Sequence, residues 1–231
     1  MIASVRVVGS GRAGTALAAR LRERDVAVRV SGRRLAGGSP ASVDEDLVLL
    51  CVPDAAIPEV ARAIAPGPWV AHVSGATTLA ALDPHTRRFS VHPLQTLTAE
   101  RGAEQLDGAW AAVTAETPQA AEAAGWLAEA LGLRAFPLAD ADRPLYHAAA
   151  VIAGNYLVTL YRTASALFEQ VGAPPEALVP LMERTIANGF ALTGPIARGD
   201  WSTVEAHLAA LEERAPQVAP LYRALAEATR A

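Results

Sequence analysis

The stretch SVRVVGSGRAGTALAARLRER, residues 4–24, constrains the fold more than any other part of the chain. A short apolar strand turns through Gly9-Ser10-Gly11-Arg12-Ala13-Gly14 and runs on as an alanine- and leucine-rich helix. This is G-x-G-x-x-G in the strand–turn–helix context that it requires. Gly9 permits the tight turn, Gly11 lets the backbone approach a pyrophosphate, and Gly14 lets helix pack on strand. The helix start then offers free N–H groups and the positive end of its dipole to phosphates. The pattern predicts a dinucleotide-binding βαβ unit; the alternative is a glycine turn with no ligand.

The next strand, VAVRVSG, is where the ribose is read. A chain that binds NAD places Asp or Glu there to accept from the 2′-hydroxyl. Here the strand ends Ser31-Gly32-Arg33-Arg34. No carboxylate repels a 2′-phosphate, and two guanidiniums are placed to grip one, which predicts NADP(H). Solvated loop charges are the alternative for either arginine.

DLVLLCVPDAAIPEV has the unbroken apolar run of a central parallel strand, ended by Pro53. Asp54 opens a helix containing Ile57 and Val60. The preceding connection, LAGGSPASVDE, predicts a crossover helix that is reduced or missing. WVAHVSGATTLAAL adds a strand followed by Ser74-Gly75-Ala76-Thr77. Ligands bind at the carboxyl ends of such strands, so Cys51, Val52, Pro53, Ile57, Ser74 and Gly75 join the expected cofactor edge. Cys51 has no base beside it and is expected to pack in the core rather than act as a nucleophile. RRFSVHPLQTL is a further strand, whose Pro93 leaves His92 near the same edge, as a substrate contact or as a structural histidine. WAAVTAETPQAAEAAGWLAEALGLRAFPLA reads as strand, helix, strand, with Pro118 at the helix start. The first domain is expected to span 1–138.

From 139 to 231 apolar residues recur at helical spacing only, in four or five segments. The first covers about 141–170 and the second ends near Asn188-Gly189. Ser202 and Glu205 suggest a capping box, and a last helix starts near Pro216. About 90 residues of helix enclose little core alone, which predicts packing on the first domain or on a second copy. The expectation is an α/β chain: a Rossmann-type, mostly parallel sheet followed by an all-α domain.

Composition narrows the chemistry. With 52% apolar and 19% charged residues in a chain of 231, a sizeable core is available. A net charge of −4 argues against nucleic acid or an anionic membrane as partner. No apolar run reaches the roughly 18 residues of a membrane span, and no signal peptide is expected before the first strand. The single cysteine excludes an internal disulfide and fits a reducing cytoplasm. Histidines 72, 85, 92, 147 and 207 show no ligand spacing with carboxylates, so no metal is expected. The chain has no lysine, which removes Schiff-base chemistry and a lysine acid. In LYHAAAVIAGNYL, His147, Val151 and Asn155 are spaced by four and share one stripe of an α-helix.

GSGRAG, LLCVPDAAI, HVSGAT, FSVHPLQTL, YHAAAVIAGNYL and TGPIARGD, in this order, resemble a bacterial family described as a Rossmann-like domain fused to domain of unknown function 2520. That family is similar to the 6-phosphogluconate and β-hydroxyacid dehydrogenases, ketopantoate reductase and pyrroline-5-carboxylate reductase. The resemblance implies a C-terminal domain like that of 6-phosphogluconate dehydrogenase. It also implies NAD(P)-dependent reduction in a cleft between the domains, often in a dimer. In such relatives the first long helix of the second domain carries a lysine and, four residues later, an asparagine facing the nicotinamide. Asn155 matches that asparagine, and the lysine's place falls on Val151. A carbonyl that receives hydride needs a proton, so His147 is the expected acid, with Tyr146 and His92 behind it. Reducing an imine relaxes that demand. In TGPIARGD, Arg198 is suited to clamp a carboxylate and Thr193 to supply a hydroxyl; the alternative is a tight loop in which Arg198 and Asp200 pair and cap. The expected function is a cytoplasmic, homodimeric NADP(H)-dependent reductase of a small oxo or imino acid. The alternative is a non-catalytic NADP(H)-binding sensor or partner protein.

Overall fold

A computed structural model describes residues 2–32 and 44–230. It divides into two compact units, one reaching Ile152 and one starting at Ala153. The expected reduced crossover, and with it Arg33 and Arg34, lies outside the described residues.

The first unit is built on β1 (Ser4–Val8), β2 (Ala27–Ser31), β3 (Leu47–Leu50), β4 (Trp69–His72), β5 (Arg88–Leu94), β6 (Trp110–Ala115) and β7 (Arg134–Pro137). They form one sheet in the order β2-β1-β3-β4-β5-β6-β7. Every neighbouring pair is parallel except β5 with β6. Among the described residues three helices flank the sheet: α1 (Arg12–Glu23), α2 (Ile57–Arg62) and α3 (Pro118–Ala130). Pro118 stands at the start of α3, where Thr117 Oγ1 accepts from the Ala120 N–H at 3.1 Å.

The alternation of side chains along a strand explains the unbroken apolar run of β3. Leu47 and Leu49 enter one core with Val5, Val7, Phe89 and Val91, closed by Leu17 and Leu21 of α1 and Leu127 of α3. Val48 and Leu50 enter the opposite core with Val8 and Val70, closed by Ile57 and Val60 of α2 and by Leu79 and Leu82. Val8, Leu50, His72 and Ser90 stand in one row across four strands. The chain leaves β1, β3 and β4 just past that row, so Gly9, Cys51 and Val73 emerge at one edge, and β5 carries His92 beyond it.

Strands stop at residue 137, close to the expected boundary at 138, yet the first unit keeps one more helix, α4 (Arg143–Val151). The reason is its first residue: the Arg143 side chain is wholly buried among groups of the sheet. A π-helical turn, Ile152–Tyr156, follows. The second unit contains α5 (Leu157–Gln170), α6 (Leu178–Ala187), α7 (Trp201–Arg214) and α8 (Ala219–Arg230). Leu211, Ala215 and Ala219 form its small core with Leu167, Val218 and Tyr222.

Two local expectations need correction. The start of α7 is capped by Asp200, whose carboxylate accepts from the Thr203 N–H at 3.2 Å and from the Ser202 and Thr203 hydroxyls at 2.9 and 2.8 Å. Ser202 therefore lies inside the first turn, and the Ser202/Glu205 box does not cap the helix. A carboxylate at this position satisfies an N–H and also meets the positive end of the helix dipole. The last helix starts at Ala219, after a turn closed by the Val218 N–H on the Ala215 carbonyl, rather than near Pro216.

Candidate active site

The glycine turn after β1 is shaped by close approach. Gly9 has φ +111°, and a Cβ there would lie 2.3 Å from the Cys51 carbonyl oxygen. A Cβ on Gly14 would lie 1.9 Å from the Gly9 oxygen. Both positions exclude any side chain. Gly11 differs, since no described atom lies within 4 Å of its missing Cβ. It precedes α1, which has no side-chain cap and no acidic residue in its first turn. The turn is thus closed behind and open in front, with first-turn N–H groups that the helix itself leaves without acceptors. Ser10, Gly11 and Arg12 are exposed and Ala13 is half-buried.

Neighbouring strands complete this edge. The Gly9 N–H donates to the Ser31 carbonyl at 2.9 Å, and the Cys51 N–H to the Val8 carbonyl at 2.8 Å. Ser31 Oγ is buried without a partner among the described residues, and Gly32 is exposed. Val52 is half-buried and Pro53 exposed. Burial pushes the Cys51 thiol up to about 12, so it stays protonated and is no nucleophile. Ile57 is wholly buried in the α2-side core, where its side chain has no face open to a ligand.

A second group converges around Gly75, after β4. Ser74 Oγ accepts from the Ala76 and Thr77 N–H groups at 3.2 and 3.0 Å and is 2.9 Å from Thr77 Oγ1, which fixes the turn. A Cβ on the buried Gly75 would lie 2.7 Å from His147 Nδ1, and 2.8 and 2.9 Å from His92 Cε1 and Nε2. The two imidazoles stand edge to face with centroids 6.2 Å apart. His92 Nδ1 lies 2.6 Å from the Tyr146 hydroxyl. Burial first, then His147 and Arg143, lower His92 to about 4, so its ring is neutral at pH 7. Burial raises the Tyr146 phenol, which keeps its proton. Either group is able to donate across this contact, and a phenol that donates to Nδ1 leaves the proton of the neutral ring on Nε2. His147 Nδ1 is buried with no partner among the described residues.

Arg143 holds this group in place and is the residue that sequence reasoning missed. Its Nε donates to Asp140 at 2.7 Å, Nη1 to the Ser74 carbonyl at 3.0 Å, and Nη2 to Ser90 Oγ and to Thr114 Oγ1 at 2.9 Å. Asp140 also accepts from the Leu79 N–H at 2.8 Å, and Thr114 Oγ1 donates to the Leu138 carbonyl at 2.7 Å. One guanidinium thus joins the start of α4 to the loop after β4, to β5 and to β6. The only signal in the sequence was the i,i+3 pair Asp140–Arg143. His72 lies in the same region, wholly buried and lowered to about 3 by burial and then by Arg143.

The remaining expected residues belong to the second unit. Asn155 is exposed and sits in the π-helical turn. There i→i+5 bonds replace i→i+4, so the spacing of four that stacks His147, Val151 and Asn155 in an α-helix does not continue through it. Arg198 Nη1 donates to the Thr193 carbonyl at 2.5 Å, closing the TGPIARGD loop on itself. Asp200 does not leave that loop free either, since it caps α7. Among the described residues no group of three or more His, Cys, Asp or Glu could hold a metal ion, and no helix is long and apolar enough to cross a membrane.

Residues 109–229 match the family model described as Domain of unknown function (DUF2520). The chain belongs to that family. The match takes in Arg143, Tyr146 and His147, whereas the glycine turn, Gly75 and His92 precede it. Solved structures align over nearly the whole chain at low identity. A Bacteroides fragilis protein assigned provisionally as an NADP oxidoreductase is 20% identical, with a TM-score of 0.80 over 99% of this chain and 98% of its own. A Thermotoga maritima protein is 22% identical, with a TM-score of 0.70 over 98% of this chain and 100% of its own. A reductive aminase from Aspergillus terreus, solved with NADPH and ethyl-5-oxohexanoate, is 19% identical, with a TM-score of 0.64 over 100% of this chain and 94% of its own. These likenesses establish the fold: a Rossmann-type sheet with C-terminal helices, as the DUF2520 resemblance implied. A comparison with curated proteins gives no match.

Proposed function

We propose that this DUF2520 protein is an NADP(H)-dependent oxidoreductase that reduces a small oxo or imino acid. The carrying observation is that an open glycine cradle and a converging histidine pair emerge at the same edge of one sheet. The cradle fits a dinucleotide pyrophosphate: Gly9 and Gly14 let the backbone close up behind it, while the space over Gly11 and the uncapped start of α1 face it. Ser31, with its unpartnered buried hydroxyl, and Gly32, Arg33 and Arg34 hold the 2′-phosphate in this reading. Cys51, Val52, Pro53, Ser74 and Gly75 border the nicotinamide half. When bound, the cofactor supplies hydride to the substrate carbon. The chain supplies the proton, and His147 is the group that delivers it, since Val151 stands where relatives carry lysine. Asn155 orients the substrate, as the resemblance implies; Arg198 clamps its carboxylate and Thr193 supplies a hydroxyl, as the TGPIARGD residues suggest. Two of the similar structures point the same way, one assigned to NADP chemistry and one holding NADPH.

Calorimetric titration with NADPH and with NADH, repeated on an Arg33→Ala, Arg34→Ala double variant, tests this reading. The expected result is micromolar binding of NADPH that the variant weakens by about 1.5–3 kcal/mol per charge-assisted hydrogen bond removed. If neither nucleotide binds, the reductase assignment falls. Tight binding without NADPH oxidation across a panel of keto and imino acids selects the sensor instead.

The same reading takes the chain to be a cytoplasmic homodimer joined through its second unit. Leu181, Phe190 and Leu192 are 61%, 71% and 65% exposed, apolar side chains that a second copy would cover. Light scattering on the eluting protein is expected to give twice the chain mass; a monomer at micromolar concentration overturns this part.

A further inference from the structure

On the face opposite Val91 and Ala111, the side chains of β5, β6 and β7 stand in three cross-strand rows. The inner row, Ser90 and Thr114, meets the buried guanidinium of Arg143. The middle row is His92, Ala112 and Phe136, and α4 brings Tyr146 to both of its rings. The outer row is Leu94, Trp110 and Arg134. There the burial ends: Leu94 is 41% and Trp110 48% exposed. All of these residues belong to the first unit.

Aromatic rings run in contact from the histidine pair to that outer row. Centroids are 5.6 Å apart for His92 and Tyr146, 6.0 Å for Tyr146 and Phe136, and 6.3 Å for Phe136 and Trp110. The Arg134 guanidinium carbon lies 5.8 Å from the centroid of the Trp110 ring, and Arg134 has no carboxylate partner among the described residues. A half-exposed indole, an exposed leucine and a cation without an anion therefore end a row that starts at the candidate active site. We propose that this outer row is a substrate subsite for a flat aromatic ring, so that the oxo or imino acid reduced here carries an aromatic side chain.

The inference deepens the reductase reading and rests on it for the reacting group. Trp110 and His92 are diagonal neighbours on one sheet face, and such neighbours lie about 7–8 Å apart. With the reacting carbon at the histidine pair, a methylene and a six-membered ring fill that reach, and a methyl group does not. Leu94 offers the ring an apolar contact, Trp110 an offset or edge partner, and Arg134 a cation that favours a π-face or a ring hydroxyl. A saturated side chain of the same size gains the area without the ring contacts.

Two arms test the subsite and separate its failure from that of the reductase reading. The first needs no turnover. Nitrogen-15 NMR of the full chain follows the Trp110 indole N–H, assigned by its loss in Trp110→Phe, with and without excess NADP⁺. Added 3-phenylpropionate is expected to shift that resonance saturably, and propionate to leave it in place. No shift in either condition, an equal shift with propionate, or tighter binding of 3-cyclohexylpropionate overturns the subsite. The second arm is NADPH oxidation with phenylpyruvate and with pyruvate, each with and without ammonium. The expected kcat/KM is tenfold or more higher for phenylpyruvate. Trp110→Ala is expected to shrink that preference to within about threefold, whereas Trp110→Phe keeps most of it. A preference for pyruvate, or an equal fall on both acids in Trp110→Ala, overturns the subsite. Absence of NADPH oxidation with both acids counts against the reductase reading and leaves the NMR arm to decide the subsite.

Discussion

Gly75→Ala is expected to lower kcat on the order of 100-fold, while NADPH affinity, held mainly at the glycine cradle, falls by less than about tenfold. The added methyl would stand 2.7 Å from His147 Nδ1 and 2.8 Å from His92 Cε1, closer than side chains pack, so both rings must move. His147 has no partner at Nδ1 and takes up part of the shift, whereas His92 cannot yield easily. His92 is tied to Tyr146, and the Gly75 backbone is tied down through the Ser74 carbonyl to buried Arg143. A misplacement of about 1 Å at a reacting group costs about 10²-fold, which sets the size of the effect. Overpacking should also cost roughly 1–3 kcal/mol of stability, well short of unfolding a domain of ordinary stability. The glycine cradle is a separate turn, after β1, so nucleotide binding survives. Measuring kcat beside a calorimetric NADPH titration checks the split. Full activity in the variant would mean that the two imidazoles take no part in the chemistry.

Arg143→Met carries the largest expected loss of stability, about 3–5 kcal/mol, read from the urea midpoint. The guanidinium is wholly buried and its donors meet Asp140, the Ser74 carbonyl, Ser90 and Thr114. Methionine fills much of the volume but leaves the Ser74 carbonyl and Ser90 Oγ dry and unpaired, at about 1–3 kcal/mol per group. Burying a guanidinium is itself costly, so the figure measures the damage of removing one partner rather than the worth of the network. Arg143→Lys should recover only part of the loss, because a single ammonium cannot reach acceptors arranged around a planar fork. A loss below about 1 kcal/mol for the methionine variant would show that the desolvation cost cancels the hydrogen bonds.

Much of the sheet was legible because its causes are local. β3 lies within four residues that are buried on both faces, and the apolar run Leu47–Leu50 says so directly. The glycine turn was legible for a similar reason: Gly9 and Gly14 are demanded by backbone approaches within that turn and to the adjoining Cys51. The direction of β6 was not legible. Its alternating small residues, Ala111, Ala112 and Val113, pair as well antiparallel with β5 as they would in parallel, and only the chain path decides. The start of α7 was misread by two residues because Asp200 and Ser202 are both good caps, and side-chain geometry chose the carboxylate. The π-helical turn at Ile152–Tyr156 leaves no mark in the spacing of its residues, which reads as ordinary helix.

Alternation, glycine spacing and helix periodicity act over a few residues, so the sequence alone settled the strands other than the direction of β6, the glycine turn and the helical second half. It also nominated His92, Tyr146 and His147 singly. What brought them to one glycine is a set of contacts between Gly75, His92 and the start of α4 that no local pattern encodes. That convergence depends on a buried charge, Arg143, whose partners at Ser74, Ser90 and Thr114 come from three separate strands or loops. A guanidinium can be kept in a dry interior only where several distant acceptors already surround it. Such a requirement exists only once the chain has folded, and here the tertiary structure decided it.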